Sequence, residues 1–287
     1  MKRNKKMLTL AAALAVVMGV SACGGGAAAN GQDVAELISN SAAVMNEVES
    51  MTTNMTMELN MESGDEAVEM LTNMDMIIIS EPMKGKIDMT IDMGEIAEPQ
   101  TVSMYLQEEE GKVISYIEQA GTWYAVEADA DMTEKMDAAS STTEYLEGME
   151  DFAIGGTEDL NGVATTRIDG VIKGETLQDA MESSGALSSV ENMGLSQEEL
   201  LAMYEDIGEM PVSMWIGEDG YVYRYEMDMT VMMQKIMDNV MAAYAEGDDS
   251  MKIMVSKVLI TMDCSDFNAV TDFEIPAEAL AAERIAY

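Results

Sequence analysis

Residues 51–93 read MTTNMTMELNMESGDEAVEMLTNMDMIIISEPMKGKIDMTIDM, and the pattern of these residues indicates the fold class. From Met55 to Met61 every second residue is apolar, whereas Thr, Glu and Asn occupy the positions between them. The same alternation returns at 74–78 and at 87–93. A period of two is typical of a β-strand that buries one face and exposes the other. Three such runs in succession predict an antiparallel sheet with one apolar and one polar face.

The strand pattern continues towards the C-terminus. Turns that contain glycine separate short apolar runs, which predicts a series of hairpins, and Asn161-Gly162 is a typical hairpin turn. The further predicted strands cover 102–106, 113–118, 122–126, 152–154, 163–172, 212–216, 221–231, 252–264 and 269–275.

Helical periodicity occurs in five places. Val34, Ile38 and Met45 recur at helical spacing after Asp33, which is placed to cap a helix. Further helices are predicted over 131–150, over 175–187, from the capping box that begins at Ser196, and over 233–244. No Pro- or Ser-rich linker interrupts residues 33–287, so we predict one α+β domain there.

The first 22 residues have the features of an export signal. Four basic residues precede an apolar stretch over 7–20, which is shorter than the roughly 20 residues that a membrane-spanning helix needs. The tetrapeptide Val20-Ser21-Ala22-Cys23 resembles the lipobox of bacterial lipoproteins. That resemblance implies cleavage before Cys23, a diacylglycerol on its sulfur, a flexible tether over 23–32 and a location on the outer face of the cell membrane. The alternative is ordinary cleavage after Ala22, with Cys23 as a bystander.

The composition excludes several functional classes. The chain has 287 residues, with 15 Lys and Arg against 54 Asp and Glu, a formal charge of −39, two cysteines and no histidine. A nucleic-acid partner is excluded because such a surface repels phosphates. Cys/His zinc sites lack ligands, and catalysis by imidazole is impossible. Among so many carboxylates no catalytic pair stands out, so we predict neither an enzyme nor a cofactor.

Several short motifs resemble the LolA/LppX-like family of lipoprotein carriers and the related Gram-positive envelope lipoproteins. In that family a strongly curved antiparallel sheet forms an unclosed half-barrel, and helices pack on its concave face over an apolar cavity. The resemblance implies that the cavity holds acyl chains and needs no catalytic group. The motifs are 42–50 with 51–61, Tyr116 with Gly121-Thr122-Trp123-Tyr124, Leu160-Asn161-Gly162-Val163, Met214-Trp215-Ile216 with Tyr223-Arg224, and Phe273-Glu274-Ile275-Pro276.

Methionine is unusually frequent, with 32 residues against three phenylalanines. One interpretation is that it merely replaces leucine in the core. A second is that its flexible thioethers line a surface for varied apolar partners. A third is that pairs such as Met55 with Met57, or Met74 with Met76, bind Cu(I). Under the second interpretation, the candidate lining residues are Met55, Met57, Met76, Ile78, Met89, Ile91, Met104, Trp123, Trp215, Met227 and Met229.

Two hypotheses about function follow. The first is a lipid-anchored, non-enzymatic binder or carrier of a hydrophobic ligand, a lipid, outside the cytoplasm. The alternative is an envelope interaction or sensor module whose core is filled by its own side chains. In either case we expect a monomer that contacts the membrane through Cys23.

Overall fold

The computed structural model describes residues 31–64, 66–119, 121–129, 150–174, 207–244 and 253–286. The predicted export signal, Cys23, the helices over 175–187 and after Ser196, and nearly all of 131–150 lie outside the described residues. The described elements are α1 (Gly31–Met45), β1 (Ser50–Ser63), β2 (Glu66–Ile79), β3 (Lys84–Asp92), β4 (Gln100–Glu109), β5 (Lys112–Gln119), β6 (Thr122–Asp129), β7 (Glu150–Leu160), β8 (Val163–Lys173), β9 (Glu209–Gly217), β10 (Val222–Asp228), α2 (Thr230–Tyr244), β11 (Ile253–Ser265), α3 (Ala277–Leu280) and β12 (Arg284–Ala286).

The strands of the described residues form one sheet, in the order β12-β6-β5-β4-β3-β2-β1-β11-β10-β9-β8-β7. Neighbouring strands are antiparallel except for β12, which runs parallel to β6. The two edge strands of this order, β12 and β7, are not paired with each other, so the sheet is unclosed. The predicted fold class, an α+β protein built on an open antiparallel half-barrel, is confirmed. In the centre of the sheet, β1 pairs with β2 on one side and with β11 on the other.

Strand register separates the sheet into two chemically different faces. Directly opposed residues lie on the same face, and Met55 is opposite both Met74 of β2 and Met262 of β11. We call the face that carries these methionines the apolar face. Asn54, one position earlier, is opposite Asp75 and Asp263 on the other face, which we call the polar face. The alternation in the sequence therefore predicted the two faces correctly.

The two long helices pack on one half of the apolar face. From α1, Val34 and Met45 are buried in a cluster with Ile168 and Met214 of β8 and β9. From α2, Met232 is buried in a second cluster with strands β8 to β10. The α2 helix begins at Thr230, earlier than predicted, because the carboxylate of Asp228 accepts the Thr230 backbone N–H at 3.0 Å.

The strand predicted over 269–275 is wrong, and so is the matching closing strand of the family motif. After β11 the chain crosses the polar face as an irregular segment and ends in α3 and β12. Two of its apolar residues are buried by packing on side chains rather than by strand pairing. Ile275 and Ala279 pack against Tyr116 of β5. Lys84 forms an ion pair with Asp272 at 2.5 Å, which fixes the segment to β3.

Candidate functional site

The methionines of the central strands form continuous rows across the apolar face. One row joins directly opposed residues of β3, β2, β1 and β11, namely Met89, Met74, Met55 and Met262. Three strand spacings separate the ends of this row, or roughly 14 Å at about 4.8 Å each. The parallel row beside it contains Ile91, Thr72, Met57, Ile260 and Met227. The pairing therefore brings thioethers from four neighbouring strands into one surface.

The structure brings most of the predicted lining residues onto this one face. Met76 is opposite Ile87, which is opposite Met104, so these residues form a third row. Ile78 lies beside them at the end of β2, opposite Gly85. Met229 follows the end of β10 and packs against the cluster under α2. Our list omitted Met74 and Met262, although both continue an alternation that is visible in the sequence.

Burial divides the apolar face into two unlike halves. On the half that α1 and α2 cover, Met214, Met210 and Met227 are 0%, 2% and 4% exposed. On the β1–β4 half, Met51 at the start of β1 is buried in the cluster under α1, but the methionines farther along β1 and those of β2 to β4 are only half-buried and belong to no buried cluster formed by the described residues. We call this second region the β1–β4 surface, and its residues are Met55, Met57, Met74, Met76, Ile87, Met89, Ile91 and Met104.

Both predicted tryptophans lie on the opposite face, so they do not line the methionine surface. Trp123 is opposite Glu118 on the polar face and packs against Tyr105, with ring centroids 5.8 Å apart. Trp215 is buried on the same face, and its indole Nε1 donates to Glu158 Oε2 at 2.8 Å. These side chains therefore stabilise the polar face of the sheet.

The polar face is held by short-range charge pairs. Arg167 donates two hydrogen bonds of 2.8 Å to Asp169, and Ser213 also donates to this carboxylate. Burial raises the pKa of Asp169, but the bonds from Arg167 and Ser213 outweigh that effect, so the pKa lies below its ordinary value. Asp88 has a lowered pKa for the same reasons, with Lys86 and Ser103 as its donors.

Cys264 lies on the apolar face near α1, and it is 5% exposed. Burial raises the pKa of its thiol to about 11. Its Sγ lies 3.9 Å from Thr53 Oγ1. The thiol is therefore neutral near pH 7, as expected of a structural cysteine.

Among the residues that the structure describes, no three His, Cys, Asp or Glu side chains are grouped so as to hold a metal ion.

A groove of about 230 Å³ runs between α2 and the beginning of β11. Its lining consists of Thr230, Val231, Gln234, Lys235, Asp238 and Val255. Val255 is opposite Met61, so the groove borders the strand that carries Met55 and Met57.

Within the described part of the chain, no helix has the length and apolar character needed to cross a membrane.

A family model described as a family of unknown function (DUF6612) matches residues 33–284. The chain belongs to this family. A search of curated proteins gave no match. The chain is structurally similar to LprF from Mycobacterium bovis, with 12% identity and a TM-score of 0.50, over 88% of this chain and 100% of that one.

Two further solved structures are similar at lower scores. The lipoprotein LppX from Mycobacterium tuberculosis has 12% identity and a TM-score of 0.47, over 85% of this chain and all of that one. A putative outer membrane lipoprotein-sorting protein domain from Vibrio parahaemolyticus has 9% identity and a TM-score of 0.24, over 85% and 95%. The resemblance to the LolA/LppX-like fold that the sequence motifs indicated is confirmed. The Gram-positive assignment stays a prediction.

Proposed function

We propose that this DUF6612 protein is a lipid-anchored, extracytoplasmic binder or carrier of a hydrophobic ligand, and that it performs no catalysis. The ligand is a lipid whose acyl chains lie on the β1–β4 surface. The observation that supports this proposal is the contrast between two halves of one face. Met210, Met214 and Met227 under the helices are buried, whereas the methionines of the β1–β4 surface have the same chemistry but are only half-buried.

Methionine suits such a surface for a physical reason. Its side chain is unbranched, and its thioether is polarizable, so it adapts to apolar partners of varied shape. Covering half-buried methionines with an acyl chain removes apolar area from water, which favours binding by roughly 25 cal/mol for each Å². A flexible chain that lies along rows spanning four strands covers several such side chains at once.

The membrane anchor is the second part of the proposal. A chain with a formal charge of −39 is repelled by anionic headgroups, so its surface does not attract it to a membrane. A diacylglycerol on Cys23 supplies the attachment instead. Cys23→Ser should abolish the incorporation of labelled fatty acid in cells, and incorporation that persists in this variant would contradict the anchor.

The binding proposal is tested with residues 24–287, which contain every described element. Native mass spectrometry and solvent extraction after incubation with membrane lipids should show a lipid adduct. Met57→Asp and Met89→Asp should each abolish its retention, because a carboxylate on the apolar face opposes desolvation. Thr56→Asp is the matched control, since Thr56 lies beside Met57 on the polar face. An unmodified mass under all conditions would favour the interaction or sensor module instead.

A further inference from the structure

Hydrogen bonds between α2 and β11 fix the two sides of the groove relative to each other. No residue of β10 pairs with 253–258 of β11, and side chains of α2 bind that backbone instead. Gln234 Oε1 accepts the Val255 N–H at 2.6 Å, and Gln234 Nε2 donates to the Ile253 carbonyl at 3.2 Å. Thr230 Oγ1 accepts the Val258 N–H at 2.9 Å. The helix is therefore fixed against the strand, and the groove exists before any ligand binds.

The groove contains Lys235, which forms no ion pair with any residue that the structure describes. Of the nine basic side chains that the structure describes, Lys235 alone forms no ion pair. Carboxylates are abundant in this chain, so scarcity of acids does not explain the absence of a partner. The eight paired side chains are Lys84, Lys86, Lys112, Arg167, Lys173, Arg224, Lys257 and Arg284.

One acidic residue, Asp238, lines the groove itself, and another, Asp228, precedes the helix. Asp238 accepts a hydrogen bond from Gln234 Nε2 at 2.8 Å, and Asp228 accepts the backbone N–H of Thr230. The first turn of α2 contains no acidic residue, and the N-terminal end of a helix has a positive partial charge. The groove therefore combines apolar walls with an available ammonium group, in a protein that is otherwise strongly anionic.

We propose that the hydrophobic ligand is an anionic amphiphile whose acidic headgroup pairs with Lys235. Its acyl chain passes from the groove onto the β1–β4 surface, which Val255 adjoins through its partner Met61. This inference rests on the function proposed above and adds the chemical class of the ligand. A carboxylate and a phosphate both provide the required negative charge, so a fatty acid and an acidic phospholipid are the two sources to distinguish.

The test compares charged and uncharged ligands on residues 24–287. Palmitic acid is compared with its methyl ester, and phosphatidic acid with diacylglycerol, by native mass spectrometry and by displacement of a fluorescent fatty acid. Lys235→Ala should weaken binding of the preferred acid by about fivefold, as expected for a partly exposed ion pair, and should not affect the uncharged analogue. Lys235→Arg should retain most of the affinity.

Lys257→Ala is the matched control, because it removes the same charge from the polar face, where Lys257 pairs with Glu58. We expect this variant to bind the acid within twofold of the unmodified chain. Preference for palmitic acid alone identifies a carboxylate ligand, and preference for phosphatidic acid alone identifies a phospholipid. If acids and uncharged analogues bind equally, or if both lysine variants weaken binding equally, the inference about Lys235 is overturned while the proposed function stands. If nothing binds, both are overturned.

Discussion

Alanine substitutions on the two halves of the apolar face should separate folding stability from ligand binding. Met214 is 0% exposed and is buried together with Ile168 and Tyr225. Met214→Ala therefore leaves a closed cavity, and we expect the free energy of unfolding to fall by about 3 kcal/mol. Met57 is half-buried, so truncation removes only part of the roughly 1.5–3 kcal/mol that full burial of such a side chain provides.

For Met57→Ala we therefore expect a loss of about 1 kcal/mol or less, together with a clear loss of lipid retention. Urea unfolding of residues 24–287 without ligand gives the stability, provided that the urea dependence of the free energy is unchanged between variants. Native mass spectrometry of the same samples gives the binding. If Met57→Ala lowers the unfolding free energy as much as Met214→Ala does, the β1–β4 surface is closed core and the reasoning fails.

Three further predictions concern other parts of the molecule. Because burial raises the pKa of Cys264 to about 11, the folded state retains this proton at a pH where the unfolded state loses it. The free energy of unfolding should therefore fall as pH rises from about 9 to 11. Cys264→Ala should reduce this dependence on pH. In Gly155→Ala the new Cβ would clash with the carboxylate of Asp169 and disturb its pair with Arg167, so thermal unfolding should show a loss of up to about 1 kcal/mol. An unchanged melting temperature would contradict the contact. Limited peroxide treatment followed by peptide mass spectrometry should show that half-buried methionines become sulfoxides before buried ones, and equal rates would argue against the two-half division. The methionines to compare are Met55, Met57, Met76, Met89 and Met104 against Met45, Met210, Met214 and Met232.

The sequence predicted the two faces of the sheet because apolar and polar residues alternate over most of β1 to β4. It placed Met55 and Met57 on one face and Asn60 on the other, as the register has them. The prediction that Trp123 and Trp215 share the face of the methionines is wrong. Trp215 lies between Met214 and Ile216, all three of which are buried, so the local pattern contains no alternation that indicates a face.

The coverage of the apolar face could not be predicted from the sequence. The periodicity of α1 shows that Met45 is buried but not that its partners are Ile168 and Met214. The role of α2 at the edge of β11 depends on Gln234, whose amide resembles that of any exposed glutamine until its backbone partners are known. Contacts between residues that are distant in the chain determined both features.

The pairing of β1 with β11 has a consequence for the order in which the molecule is assembled. Thr52 is opposite Ser265 and Ser63 is opposite Ile253, so the central ladder joins residues that are 190 to 213 positions apart. Closing so long a loop is slow, whereas the hairpins within β2–β6, β7–β8 and β9–β10 need only local contacts. Since a chain is synthesised from its N-terminus, one edge of β1 stays unpaired until β11 has emerged. An unpaired strand edge promotes aggregation. The acidic and polar residues that alternate along β1 therefore protect the nascent chain from aggregation during that interval.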